Sequence, residues 1–90
     1  MKVVKIGAVW CSSCLVMRPR WEQLEKKFPW LKTEYYDFDQ NKEAIKKYNL
    51  QEGQLPVFIF ISKKDQEILR LNGEYSLKKL EEIVLKNKDK

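Results

Sequence analysis

Val3-Val4-Lys5-Ile6-Gly7-Ala8-Val9, running on into Trp10-Cys11-Ser12-Ser13-Cys14, is the stretch that decides the fold. Val3, Val4, Ile6, Ala8 and Val9 make a β-rich run, interrupted by Lys5 and Gly7, that reads as a first strand buried on both faces. Trp10 to Ser13 is the turn out of it. From Cys11 or Ser12 to about Phe28 the pattern becomes helical. Met17, Trp21, Leu24 and Phe28 fall at i, i+4, i+7 and i+11 and form one apolar stripe. Pro19 lies inside that helix and should kink it, because it lacks an amide donor and clashes one turn back.

Outward from this unit the chain keeps alternating. Leu31 to Phe38 reads as a second strand, with Tyr35, Tyr36 and Phe38 supplying β-favouring residues. Asp39-Gln40-Asn41 is a turn and helix-cap signal. A short helix follows over about Lys42 to Tyr48, with Ala44, Ile45 and Tyr48 inward. Asn49 to Leu55 is a loop containing Gly53. Val57 to Ile61 is a continuous apolar run and reads as a central strand. Ser62-Lys63-Lys64-Asp65 is a hairpin turn, and Glu67 to Leu71 a more polar strand at the sheet edge. Asn72-Gly73 ends it, and Ser76 caps a final helix whose stripe is Leu77, Leu80 and Val84 with Ile83 beside it. The order β-α-β-α-β-β-α predicts an α/β fold with a four-stranded mixed sheet. Its first two strands are parallel through a right-handed crossover and its last two antiparallel.

The 90 residues make one domain, 1–90, with a small core that buries roughly 60–65% of the unfolded surface. The net charge of +5 is spread among mixed charges such as Glu22-Gln23-Leu24-Glu25-Lys26-Lys27. The one concentrated excess, Lys86-Asn87-Lys88-Asp89-Lys90, reads as a tail that frays from about residue 87, so no nucleic-acid partner is expected. No stretch is long and apolar enough to span a membrane. The opening residues lack the unbroken apolar run and cleavage site of a signal peptide, so with Met1 as the natural start a cytoplasmic protein is expected. Two cysteines are too few for a secreted disulfide scaffold.

Those two cysteines carry the chemistry. Residues three apart share a helix face, so Cys11 and Cys14 can close a disulfide with little backbone change. Free amides at the helix N-terminus favour an anion on Cys11 and lower its pKa from about 8.5. Cys14, one turn in, is expected to be more shielded. The resulting division of labour has Cys11 attack a substrate disulfide and Cys14 resolve the mixed disulfide. A purely structural cross-link would close a loop of only four residues, worth roughly 2 kcal/mol. A zinc site wants four Cys or His ligands, and the chain has two Cys and no His. No metal and no cofactor are expected.

From about Val3 to Lys86 the chain resembles the thioredoxin superfamily. The resemblance rests on matches in the right order. Trp10-Cys11-Ser12-Ser13-Cys14 is similar to the active-site motif, and Pro19 matches the kinking proline five residues on. Asp37-Phe38-Asp39-Gln40-Asn41 resembles the strand-to-helix segment, and Leu55-Pro56 before Val57-Phe58-Ile59-Phe60 the cis-proline and its strand. Gly73 and the helix after it match the closing segment. The resemblance implies a thioredoxin-like three-layer fold and a cis Leu55–Pro56 bond. Pro56 then packs against the cysteines, and the Leu55 backbone turns outward to pair with an extended substrate. It also implies a monomer that acts on disulfide-containing proteins and draws electrons from a reductase or other thiol donor. Trp10 is expected to be both a lip aromatic and a lid beside Cys11, while Trp21 and Trp30 serve packing.

The departures are specific. The strand and helix that open thioredoxin itself are missing, which leaves the minimal core seen in glutaredoxins. The central dipeptide is Ser-Ser, and the approach to Pro56 is longer. Lys5 stands where thioredoxin has a buried aspartate that helps deprotonate the resolving cysteine. Two readings of Lys5 stay open. Its side chain reaches water or pairs with an acid such as Asp37, or it is a cation near the thiols that tunes their pKa. The leading function is protein-disulfide reduction. A disulfide oxidase or isomerase would use the same residues at a higher potential, and a non-catalytic binding module would not use the cysteines at all.

Overall fold

The computed structural model describes the backbone of residues 1–90 and every side chain except that of Glu52. Its elements are β1 (Lys2–Gly7), α1 (Ser12–Lys27), β2 (Lys32–Asp37), α2 (Lys42–Lys47), a short 3-10 turn at Glu52–Gln54, β3 (Val57–Ile61), β4 (Glu67–Asn72) and α3 (Leu77–Asn87). The strands form one sheet in the order β2-β1-β3-β4. β1 runs parallel to β2, with Lys5 opposite Tyr35 and Gly7 opposite Asp37. β1 and β3 are antiparallel, with Lys5 opposite Phe58, and so are β3 and β4. The sequence order, the strand directions and the edge position of β4 are as expected.

Successive strand residues point to opposite faces, and this splits the core into two clusters. Val3, Phe58 and Phe60 pack with Met17, Trp21 and Leu24 of α1 and Leu80 and Val84 of α3. Val4, Ile6, Val57, Ile59 and Ile61 pack on the other face with Leu50, against Tyr36, Phe38, Ile45 and Tyr48. β3 is buried along its whole length, which is why its sequence shows no alternation. On the β1–β2 side, Glu34 accepts from Lys2 at 3.1 Å and from Tyr36 Oη at 2.9 Å. The lysine and the phenol, in that order, hold its carboxyl below the usual range.

α1 runs unbroken through Pro19 to Lys27, as expected, and its C-terminal cap is Phe28, whose N–H donates to Leu24 O. Two local expectations need revising. Asn41 stands at the start of α2 without capping it. Its Oδ1 accepts instead from Asp37 N at 2.8 Å, because Asp37 has turned its own carboxylate onto the amides of Asp39 and Gln40. The C-terminal end does not separate from the body at residue 87. Asn87 is buried, and the Lys90 carbonyl accepts from Lys63 N at 2.7 Å. Trp30 packs as a surface residue, with its ring tilted against Phe28 and Lys88 Nζ 5.0 Å from its ring.

Candidate active site

β1 ends at Gly7 and α1 begins at Ser12, so the link between them places Trp10 and Cys11 at the C-terminal edge of the sheet and at the N-terminus of the helix. Cys11 is the N-cap residue, in extended conformation, and its Sγ accepts from the Cys14 amide at 3.3 Å. Ordinarily a serine or aspartate side chain takes that amide. Here a sulfur does, at the end of a helix whose first turn carries no acidic residue to compete with an anion. Cys11 and Cys14 are joined as a disulfide, with Cα atoms 5.3 Å apart.

The expected shielding is reversed. Cys11 is 8% exposed, whereas Cys14 is only partly buried. Cys14 faces a cavity of about 430 Å³ between α1 and the sheet, lined among others by Lys5, Gly7, Glu25, Tyr35, Pro56 and Phe58. Gly7 has no side chain to fill the space beside Cys14, so the second cysteine borders this cavity.

Pro56 is buried, lines the same cavity as Cys14, and follows a cis Leu55–Pro56 bond as expected. Among the described residues neither the N–H nor the C=O of Leu55 has a hydrogen-bond partner, although its side chain packs on the core. Trp10 is half exposed, with its ring edge-on to Phe38 and its Nε1 donating to Asp39 Oδ2 at 2.6 Å. That bond ties the lip of the site to the turn before α2. On the other flank, Ser13 Oγ donates to Glu74 Oε2 at 2.8 Å, and Arg20 Nη1 donates to Tyr75 O at 2.7 Å. Both hold the segment before α3 against α1.

Lys5 does not pair with Asp37. Its Nζ meets Glu25 Oε2 at 2.8 Å inside the cavity, with side chains 17% and 32% exposed. The reason is geometric. Asp37 is occupied by two backbone amides, while Glu25 on α1 faces the same cavity as Lys5. A pair this sheltered lies between the exposed and the buried regimes. Lys5→Met is therefore expected to lower unfolding free energy by about 1–2 kcal/mol, because it strands the Glu25 carboxylate. Lys5→Met combined with Glu25→Leu should recover most of that loss in urea titrations. A double variant as unstable as the single one would show that Lys5 is not held there for the ion pair.

Glu25, Tyr35, Gly7 and Glu74 belong to the site's surroundings and were not singled out as site residues from the sequence, and Asp39 was read only as part of a turn. Strand register brings Gly7 and Tyr35, helix placement brings Glu25, and the turn before α2 and the segment before α3 bring Asp39 and Glu74.

The thioredoxin family model matches residues 1–86. A thioredoxin H-type from Fagopyrum esculentum is 32% identical over 71 residues, which cover 79% of this chain and 59% of that protein. One from Oryza sativa subsp. indica is 34% identical over 59 residues, covering 66% of this chain and 47% of that protein. The chain thus spans about half the length of the curated relatives it matches. Among solved structures, Fasciola hepatica thioredoxin superposes with a TM-score of 0.83 at 35% identity, over 96% of this chain and 79% of that one. A thioredoxin variant from Halobacterium salinarum reaches 0.85 at 16% identity, over 99% and 75%, a likeness of fold alone.

Proposed function

The chain belongs to the thioredoxin family, and from that premise we propose that it is a thiol–disulfide oxidoreductase that reduces protein disulfides, with Cys11 as the nucleophile and Cys14 as the resolving cysteine. The observation that carries the reading is the N-cap position of Cys11, whose sulfur already receives a helix amide. A thiolate formed there inherits that hydrogen bond and the helix end. The unpaired backbone of Leu55, beside the buried Pro56, supports a substrate segment bound as an added strand. Backbone pairing is indifferent to side chains, which suits a range of disulfide-containing protein partners. Two electrons pass to each substrate disulfide, so a reductase or other thiol donor must return them. We place this chemistry in the cytoplasm, with the chain acting as a monomer.

A thiol-coupled insulin-reduction assay tests the reading. Turnover that disappears in a protein lacking both cysteines supports it, and a wild-type protein with no turnover overturns it in favour of a binding module. The potential separates reductase from oxidase. Neither residue between the cysteines holds the thiolate by charge: Ser12 is exposed, and Ser13 directs its hydroxyl to Glu74. Equilibration with glutathione should therefore give a value nearer thioredoxin's roughly −270 mV than the roughly −120 mV of the strongest periplasmic oxidant. A value above about −180 mV would assign the chain to oxidation or isomerisation instead.

A further inference from the structure

Resolution needs Cys14 as a thiolate, yet Cys14 lacks the advantages of Cys11. It lies one turn inside α1, and its own amide is directed to Cys11 Sγ. The charged groups around its cavity come from two elements. β1 contributes Lys5, and α1 contributes Arg18, Glu22 and Glu25, while β3 offers only Phe58, with Pro56 just before it. Lys5 and Glu25 are engaged with each other at 2.8 Å. β2 contributes one titratable side chain, Tyr35.

Tyr35 Oη and Cys14 Sγ both border Gly7. A Cβ on Gly7 would stand 3.1 Å from Tyr35 Oη, 3.2 Å from Cys14 Sγ and 3.3 Å from Cys14 Cβ. The hydroxyl and the sulfur therefore border one and the same point, which the missing side chain of Gly7 leaves free. The strand pairing explains the approach. Tyr35 is opposite Lys5, on the face that Lys5 shares with Gly7, and a strand side chain leans along its strand. Among the described residues Tyr35 Oη makes no hydrogen bond in the disulfide form, and the residue is 48% exposed, so its hydroxyl is free to donate and packing alone does not require a phenol there.

Resting on the dithiol reading above, we propose that the Tyr35 hydroxyl is the hydrogen-bond donor that holds the Cys14 sulfur as it becomes the attacking group. In the first exchange the Cys11 thiolate attacks one sulfur of the substrate disulfide. A Cys11–substrate S–S bond forms, and the other substrate sulfur leaves as a thiolate. Cys14 then gives its proton to solvent and attacks the Cys11 sulfur. The Cys11–Cys14 bond forms, the Cys11–substrate bond breaks, and the second substrate thiolate leaves and takes a proton from solvent. Two electrons have moved from the dithiol to the substrate. Tyr35 keeps its own proton throughout and donates to Cys14 Sγ while the negative charge is there. Hydrogen bonds to a charged acceptor are about twice as strong as neutral ones, so the contact favours the attacking form over the resting thiol.

The test follows alkylation of Cys14 against pH in a Cys11→Ala background. Adding Tyr35→Phe, which keeps the ring and removes only the hydroxyl, should raise the midpoint of the alkylation profile by about one pH unit. It should also slow resolution of a preformed mixed disulfide by about tenfold in the two-cysteine protein. Gly7→Ala, which puts a methyl at the point both groups border, should move both readouts the same way with Tyr35 intact. Urea midpoints of the Tyr35→Phe proteins should stay with their parents. A Tyr35→Phe profile superimposed on its parent would overturn the proposal, and so would unchanged resolution. A protein that reduces insulin while Tyr35→Phe changes nothing refutes this inference alone, whereas one that never reduces insulin refutes the functional reading beneath it.

Discussion

Cys14→Ser is expected to accumulate a covalent adduct between Cys11 and a substrate protein, Cys11→Ser to accumulate none, and turnover in both to fall to the uncatalysed background. Two effects on the Cys11 thiolate oppose each other. Its burial disfavours the charge. Against this stand a hydrogen bond from the Cys14 amide, of a kind worth about 1.5–3 kcal/mol to a charged acceptor, and a helix N-terminus worth about 0.3–2 kcal/mol. Together these are large enough to prevail, since about 1.4 kcal/mol is a tenfold change in ionisation. If exposure decided the matter instead, Cys14, the less buried of the two, would be the attacker. Non-reducing electrophoresis of each single variant after incubation with reduced-and-reoxidised substrate distinguishes the two. Adducts formed by Cys11→Ser and not by Cys14→Ser would reverse the roles.

The second large effect is on stability. Trp21→Ala should remove about 3–5 kcal/mol of unfolding free energy, the usual range for deleting a buried indole. Trp21 is 1% exposed and packs on Phe58 and Phe60 with ring centroids 5.2 and 6.2 Å away. It is the largest side chain in the cluster joining α1 to the sheet. Domains of this size hold only about 5–15 kcal/mol in total, so the thermal midpoint should fall by roughly 15–30 °C. Trp21→Phe should cost much less than Trp21→Ala. The indole Nε1 is buried without a hydrogen-bond partner among the described residues, so its removal relieves a desolvated donor while a ring remains. Urea unfolding of both variants checks this. A Trp21→Ala protein within 1 kcal/mol of wild type would mean that the cluster is not what anchors α1.

Much of this architecture is written in local pattern. The run Val57 to Ile61 was readable as a central strand because a strand covered on both faces needs no polar alternation, and β3 is buried throughout. The helical stripe Met17, Trp21 and Leu24 was readable because its spacing follows the turn of the helix, and all three are core residues. The cysteine pair and Pro56 were readable from residue type and order. Side-chain partners were not. Asp37 is the natural partner of Lys5 from chain order, but its carboxylate closes its own turn and Glu25 arrives from α1. Cys14 is more open than its position in the helix implies, and the glycine it borders lies on a different element. That Tyr35 borders the same glycine depends on the register between β1 and β2, which periodicity within one strand does not encode.

The division of the core by the sheet has a consequence for engineering. The reactive cysteines, the cavity and the two longer helices lie on one side. The other side is roofed by α2, a helix of six residues none of which is fully buried. Segments with little buried surface open at low free energy and tolerate insertion best. The exposed positions Lys42, Glu43, Lys46 and Lys47 are therefore where a label, a linker or a second module can be attached with the least disturbance to the redox centre. The graft should begin after Asp39, whose carboxylate anchors Trp10 at the lip of the site. The molecule thus has a working face and a handle, separated by one sheet.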